Sequence, residues 1–293
     1  MTILHDLIEP GFFSSSVIDT ALIIGCLTAV VSAATGTFTV LRSQSFTGHA
    51  LSDIGATGGA AAYLAGVPTI YGFVVVNLVA GTFLEALGIK NRKERDIVTG
   101  VVLGAALGLT ALFLYFDTTT TSASGDTMNL LFGSILTIQS SLVGVFIGLS
   151  VISVALLAVY YRQLLLSSLD PDLLQAKNRS PRAASLAFLL ALALAVSMSA
   201  IAIGAILSTA LLIGPAAAAT RLAKDMKSTF VYACLMGAAS IFLGLLLSYD
   251  SYTWPPFHHG WPVSFFVVAI IFVIYLLTLL KPEAKTRHGN AVI

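Results

Sequence analysis

The amino-acid sequence predicts an all-α polytopic membrane protein of about nine transmembrane helices, with eight to ten compatible with the pattern. The N-terminus is placed outside and the C-terminus in the cytoplasm. Three observations predict this. Charged residues are 10% of the 293 and hydrophobic ones 57%, whereas a soluble domain carries about 25% charged. Apolar runs of about 17–25 residues, the length that crosses a bilayer, recur along the chain. When the runs are counted alternately, all 15 Lys and Arg fall on one side, as the positive-inside bias requires.

The runs lie near 17–41, 46–64, 69–88, 97–116, 142–161, 185–202, 204–220, 229–248 and 263–280. No polar break separates the sixth from the seventh, so the two also read as one span plus a re-entrant piece. The inner loops then hold Arg42; Lys90 to Arg95; Arg162 to Arg182; Arg221 to Lys227; and Lys281 to Arg287. The outer segments hold no Lys or Arg but carry Asp6, Glu9, Asp19, Asp117, Asp126 and Asp250. This count forces 128–140 to begin and end outside, as a short or re-entrant helix buried in protein. The organisation expected is an external segment 1–16, a transmembrane domain 17–280 with a cytoplasmic segment 162–184, and a polar cytoplasmic tail 281–293. No secretory signal is expected, because the first sixteen residues lack Lys and Arg and the first apolar run is too long.

Small residues mark expected helix contacts. Gly100, Gly104 and Gly108 repeat every four residues, as do Gly55/Gly59 and Gly144/Gly148, and such stripes let backbones approach in lipid. The second run is the least hydrophobic, which places it in the bundle interior or at a dimer seam. Gly214-Pro215 inside the seventh is expected to kink or interrupt that helix.

The chemistry concentrates in the second run. Ser45-Phe-Thr-Gly-His-Ala-Leu-Ser-Asp-Ile-Gly-Ala-Thr-Gly-Gly-Ala-Ala-Ala-Tyr63 is apolar yet holds His49 and Asp53. A mid-helix Asp costs roughly 2.5–3.5 kcal/mol on insertion scales, so a chain that keeps one has a use for it. The i, i+4 spacing stacks the two on one helix face. An imidazole and a carboxylate one turn apart can clamp a divalent cation. That N/O set suits Zn²⁺, Mn²⁺ or Fe²⁺ and offers no soft sulfur for Cu(I). Two copies meeting at this face would converge two His and two Asp. A buried ion pair that fixes packing and a proton relay are the other readings, and the residues alone leave all three open.

Other candidates have simpler explanations beside them. His258 and His259 sit in the outer loop 252–262 and could capture metal at the mouth, but adjacent side chains rarely point at one ion. Trp254 and Trp261 in that loop read as interfacial anchors. Glu85, near Lys90 and Arg92, pairs with those cations or serves as an exit-path ligand. Cys26 and Cys234 read as small apolar residues. The chain has no phosphate-binding G-x-x-x-x-G-K-[ST] loop and no H-E-x-x-H, and Asp53 is the one Asp deep in a run. These features argue against an enzyme and against ATP hydrolysis by this chain. A net charge of +1 says nothing about nucleic acid, and no nucleic-acid partner is expected. No permanently bound cofactor is expected.

The inner segment 168–178 reads as a short amphipathic helix. Asp170 is the N-cap, Pro171 the first helical residue, and Asp172, Leu173 and Leu174 follow, the leucines giving an apolar edge. It is a docking element for a partner or a plain surface linker.

At these residues the sequence resembles the membrane permease subunits of bacterial ABC importers for zinc, manganese and iron, the ABC-3 metal transporter family. Four stretches carry the resemblance: Gly48-His-Ala-Leu-Ser-Asp-Ile-Gly-Ala-Thr-Gly-Gly; Arg92-Lys-Glu-Arg-Asp96 with Gly100; Leu131-Phe-Gly-Ser-Ile-Leu136; and Leu169-Asp-Pro-Asp-Leu-Leu-Gln-Ala176 with Gly204 to Ala216. The resemblance implies a permease domain in the bacterial inner membrane and a transported divalent metal ion. It also implies a second permease copy, in a homodimer or a heterodimer, two cytoplasmic ATP-binding-cassette ATPase subunits and an external metal-binding protein. Segment 168–178 is similar to the coupling helix that meets the ATPase, and His49 and Asp53 fall on the family's gate positions. The family's G-D-A-L-S-H segment has Asp first and His four later. Here the ligand types are kept and their depths exchanged. A proton-coupled secondary transporter and an ABC permease for a chelated metal or vitamin are the alternatives.

Overall fold

The computed structural model describes residue 12, residues 15–88, 91–120, residue 129, and residues 131–169, 181–254 and 259–280. Among these residues the regular structure is helical throughout. Nine long α-helices can be followed among the described residues: α1 Ser16–Leu41, α2 Ser45–Leu64, α3 Thr69–Ala86, α4 Arg92–Thr120, α5 Val143–Leu169, α6 Pro181–Ile203, α7 Ser208–Leu222, α8 Met226–Asp250 and α9 Val263–Leu279. Each apolar run of the sequence becomes one of them. Six stretches are long and apolar enough to cross a membrane: Ser16–Leu41, Thr69–Ala86, Lys93–Thr119, Ser140–Ser168, Arg182–Ile203 and Met226–Thr253. Helix α2 has 20 residues but is too polar to count among the six. Helix α7 has only 15.

Helix α6 is the centre of the bundle. Residues 191–200 are buried without exception, as expected of a helix that is apolar all round. It packs against α1, α3 and α5. Buried polar groups there are paired between helices. Ser32 and Ser199 hydroxyls lie 2.6 Å apart, and Asn77 Nδ2 donates to Ser197 Oγ at 2.9 Å. In lipid such bonds tie helices that have no hydrophobic force between them. Helix α2 is enclosed by α3, α4, α6 and α7, in agreement with the interior position its polarity predicts.

Helices α2 and α3 meet backbone to backbone. A Cβ on Gly58 would lie 2.1 Å from the Gly72 carbonyl oxygen, and one on Gly72 would lie 1.9 Å from that of Gly58. The two backbones touch because neither residue has a side chain. The stripes on α4 and α5 behave otherwise. A Cβ on Gly104, Gly108, Gly144 or Gly148 would meet nothing within 4 Å. The expectation that these stripes pack helices is therefore not met within this chain. They face outward, and the spacing alone does not show which way a stripe points.

The sixth and seventh runs are two helices with a real break between them. Gly204 takes a φ of +97°, which favours glycine, and α7 begins four residues later. The break is filled by Leu131-Phe-Gly133, where a Cβ on Gly204 would stand 2.4 Å from the Leu131 oxygen, and Ile206 N–H donates to that oxygen at 3.3 Å. The segment expected to be short or re-entrant continues with 3₁₀ turns at Ile135–Thr137 and Ser140–Leu142, and Ile135 is buried against the bundle. The interruption expected at Gly214-Pro215 is absent. Helix α7 runs through Pro215, and Gly214 lets α9 approach, with Ile271 Cγ2 2.2 Å from where a Cβ would stand.

Candidate metal site on the second helix

The site is built from the joint that starts α2. Three residues link α1 to α2, and they are tightly bonded. Arg42 N–H donates to Phe38 O at 2.9 Å, Ser43 to Val40 O at 3.0 Å and Gln44 to Thr39 O at 2.9 Å. Ser43 adopts a φ of +52° to close the turn. His49 follows in the second turn of α2, and Asp53 one turn later.

The i, i+4 spacing does bring the two together: His49 Nε2 lies 3.6 Å from Asp53 Oδ2. Metal–ligand bonds of about 2.1 Å at a tetrahedral angle set two donors about 3.4 Å apart, so the pair is spaced to straddle an ion. The His49 side chain is 43% exposed and that of Asp53 16%, so an ion can reach both.

A third residue holds the imidazole. Thr209 Oγ1, in the first turn of α7, lies 3.0 Å from His49 Nδ1. With the hydrogen on Nδ1 donated to Thr209, Nε2 turns its lone pair toward Asp53. That is the usual second contact of a metal-binding His. The same helix pair is joined next door: Ser52 and Ser208 hydroxyls bond to each other, and Ser52 Oγ donates to Ala205 O at 2.6 Å. The candidate pair is thus fastened to the α6–α7 break. No sequence spacing pointed to Thr209, which is 160 residues from His49.

Among the described residues no group of three or more His, Cys, Asp or Glu gathers to hold a metal ion. One chain therefore offers a two-donor half-site. Glu85 lies elsewhere, at the basic end of the bundle, in the field of Arg42, Arg95 and Arg182. Of the cations the sequence suggested for it, Lys90 and the Arg92 side chain lie outside the described residues. His259 is exposed in its loop, while His258 lies outside the described residues, as do Asp170, Pro171, Asp172, Leu173 and Leu174. Trp254 and Trp261 pack edge to face, 6.2 Å apart. A cavity of about 640 Å³ opens between the α2–α3 turn and residues 134–142, with Tyr63, Phe73, Ser134 and Gln139 in its wall. Its walls include neither His49 nor Asp53, so volume alone does not locate the ionisable pair.

The fold and the site define a polytopic helical membrane protein with an ionisable pair on an enclosed, polar helix. The chain belongs to the ABC 3 transport family, whose profile matches residues 14–281. It is 31% identical over 240 residues to the manganese transport system membrane protein MntC of Listeria monocytogenes, covering 82% of this chain and 84% of that one. It is 29% identical over 266 residues to the high-affinity zinc uptake system membrane protein ZnuB of Haemophilus influenzae, covering 90% and 97%. The fold is shared with the structure of PsaBC from Streptococcus pneumoniae in complex with Fab, at a TM-score of 0.79 and 24% identity, over 95% of this chain and 96% of that one.

Proposed function

We propose that this chain is the permease subunit of an ATP-driven importer that carries a divalent transition metal, Mn²⁺ or Zn²⁺, into a bacterial cell. ATP is hydrolysed by separate cytoplasmic subunits, and an external metal-binding protein delivers the ion. The observation that carries this reading is the His49–Asp53 pair, 3.6 Å apart on an enclosed polar helix. It stands in a chain whose relatives are named for manganese and zinc transport. A second permease copy facing the first completes the coordination as two imidazoles and two carboxylates. Four such donors suit Zn²⁺, and added water oxygens suit Mn²⁺. Alternating access exposes the pair first to the outer mouth and then to the cytoplasm, with segment 168–178 as the ATPase contact.

Uptake of radioactive manganese, zinc and iron into cells with the complete system tests this. His49→Ala and Asp53→Ala each lower uptake by about 100-fold or more, since loss of even an outer contact costs 10–100-fold at metal sites, while the protein stays in the membrane at normal level. Wild-type uptake in both variants removes the gate role. Uptake that persists without the ATPase subunits supports a proton-coupled carrier instead.

A further inference from the structure

The basic end of the bundle holds an arginine that the metal site does not use. Arg42 stands at the joint between α1 and α2. Its Nη1 donates to Ser167 Oγ at 2.6 Å and its Nη2 to Ser185 Oγ at 2.9 Å. Its Cζ lies 5.2 Å from the centroid of the Phe188 ring. Ser167 is in the last turn of α5 and Ser185 in the second turn of α6. One side chain therefore grips both helices that flank segment 170–180. The Ser167 hydroxyl donates onward to Leu164 O at 3.0 Å, so its proton is committed and its lone pairs are left for Arg42.

The residue type fits the task. A guanidinium is a rigid planar fork that can reach two acceptors and lie over a ring at once, which an ammonium cannot do. Burial first, and then the neighbouring Arg95, bring Arg42 down to about 10 against the pull of Glu85, so it stays charged at neutral pH. Its hydrogen-bond partners are neutral hydroxyls. They can be released without stranding a buried carboxylate, whose isolation would be far costlier.

On its other side the joint has little slack. All three linking residues are held by backbone bonds, and Gly48 N–H already donates to Gln44 O at 3.0 Å. The Gln44 amide, with its oxygen turned to Arg95, accepts from both terminal guanidinium nitrogens at 3.0 and 3.2 Å. Helix α2 therefore moves with Arg42, and His49 is seven residues on.

We propose that Arg42 is a latch that passes movement of the α5 and α6 ends to the His49–Asp53 pair, a positioning residue and not a metal ligand. It rests on the reading of the chain as an ATP-driven permease. The test is the number of metal ions moved per ATP hydrolysed by the complete complex in vesicles. It compares wild type, Arg42→Lys, and the double variant Ser167→Ala with Ser185→Ala. ATP hydrolysis stays within about twofold of wild type while ions moved per ATP fall roughly tenfold, the scale of a lost coupling between sites. An unchanged ratio overturns the latch. So does a proportional fall of hydrolysis and transport together, which marks a merely structural residue. If Arg42→Lys does not assemble, the double serine variant, which removes only two hydroxyls, decides. A wild-type complex that moves no metal with ATP defeats the importer reading and the latch with it. Coupled wild-type transport with unchanged variants defeats the latch alone.

Discussion

Helices α5 and α2 meet opposite surroundings. Helix α5 runs 27 residues and exposes Ile147, Val151, Ile152 and Val159, the last to 76%. Helix α2 runs 20 residues, is too polar to rank among the six apolar spans, and is buried without a break from 54 to 60. Acyl chains are as apolar as leucine, so an apolar helix can face lipid and needs few protein neighbours. A polar helix must be enclosed by protein. The enclosed helix is the one that carries the ionisable pair, and the proposed function makes it the wall of the ion's route.

Substitutions on the two helices and on their neighbours can break or sharpen this contrast. The largest effect is the loss of uptake in His49→Ala and Asp53→Ala. Next is the α2–α3 seam. Gly58→Val or Gly72→Val forces side-chain atoms into a carbonyl oxygen about 2 Å away, and overpacking costs about 1–3 kcal/mol even where side chains can yield. Neither glycine can yield, so the folded fraction and thermal midpoint of the purified complex should fall sharply. An unchanged midpoint would mean that the helices are not in contact.

Thr209→Val comes third. It keeps shape but removes the hydroxyl at His49 Nδ1, and uptake should drop by roughly 10-fold, with Thr209→Ser restoring it. Equal activity in the valine variant would show that His49 orients itself. Asp225 is a smaller case at a solvated helix start. It caps α8, accepting from Ser228 N–H, and the Ser228 hydroxyl chiefly holds its carboxyl below the usual range. A depressed carboxyl adds stability above its unfolded pKa and loses it as pH falls through the folded one. Asp225→Asn should therefore lower the midpoint slightly at neutral pH and leave it unchanged in acid. A deficit of the same size at both pH values would rule out the charge as the cause. The smallest effect belongs to the lipid wall: Gly104→Ala or Gly148→Ala should stay within about ±0.5 kcal/mol. A large loss in either would reveal a second copy packed on that face.

Much of the fold was legible because lipid imposes a length. Each apolar run became a helix, and the i, i+4 rule placed His49 beside Asp53 without further information. The remainder depends on contacts between distant residues. Thr209 is one hydroxyl among many in the chain, and only the packing of α7 on α2 selects it. Gly133 lies in the segment 128–140 and Gly204 at the start of the seventh run, and only their contact explains the break after α6. Gly58 and Gly72 form a backbone-to-backbone seam although neither belongs to the four-residue repeats, whereas the regular stripes on α4 and α5 face outward. Repetition records a helix face but not its neighbour. Gly214-Pro215 was expected to kink or interrupt α7; the interruption is absent, because a proline removes one bond and the remaining turns carry the helix through.

The central claim is that His49 and Asp53 hold the ion in transit. X-ray absorption at the metal edge of the complete complex, loaded with Zn²⁺ and stalled without ATP, tests it most directly. The account predicts a first shell of nitrogen and oxygen at about 2.0–2.2 Å, with the imidazole contribution lost in His49→Ala. A bound ion whose spectrum is identical in wild type and variant would contradict it.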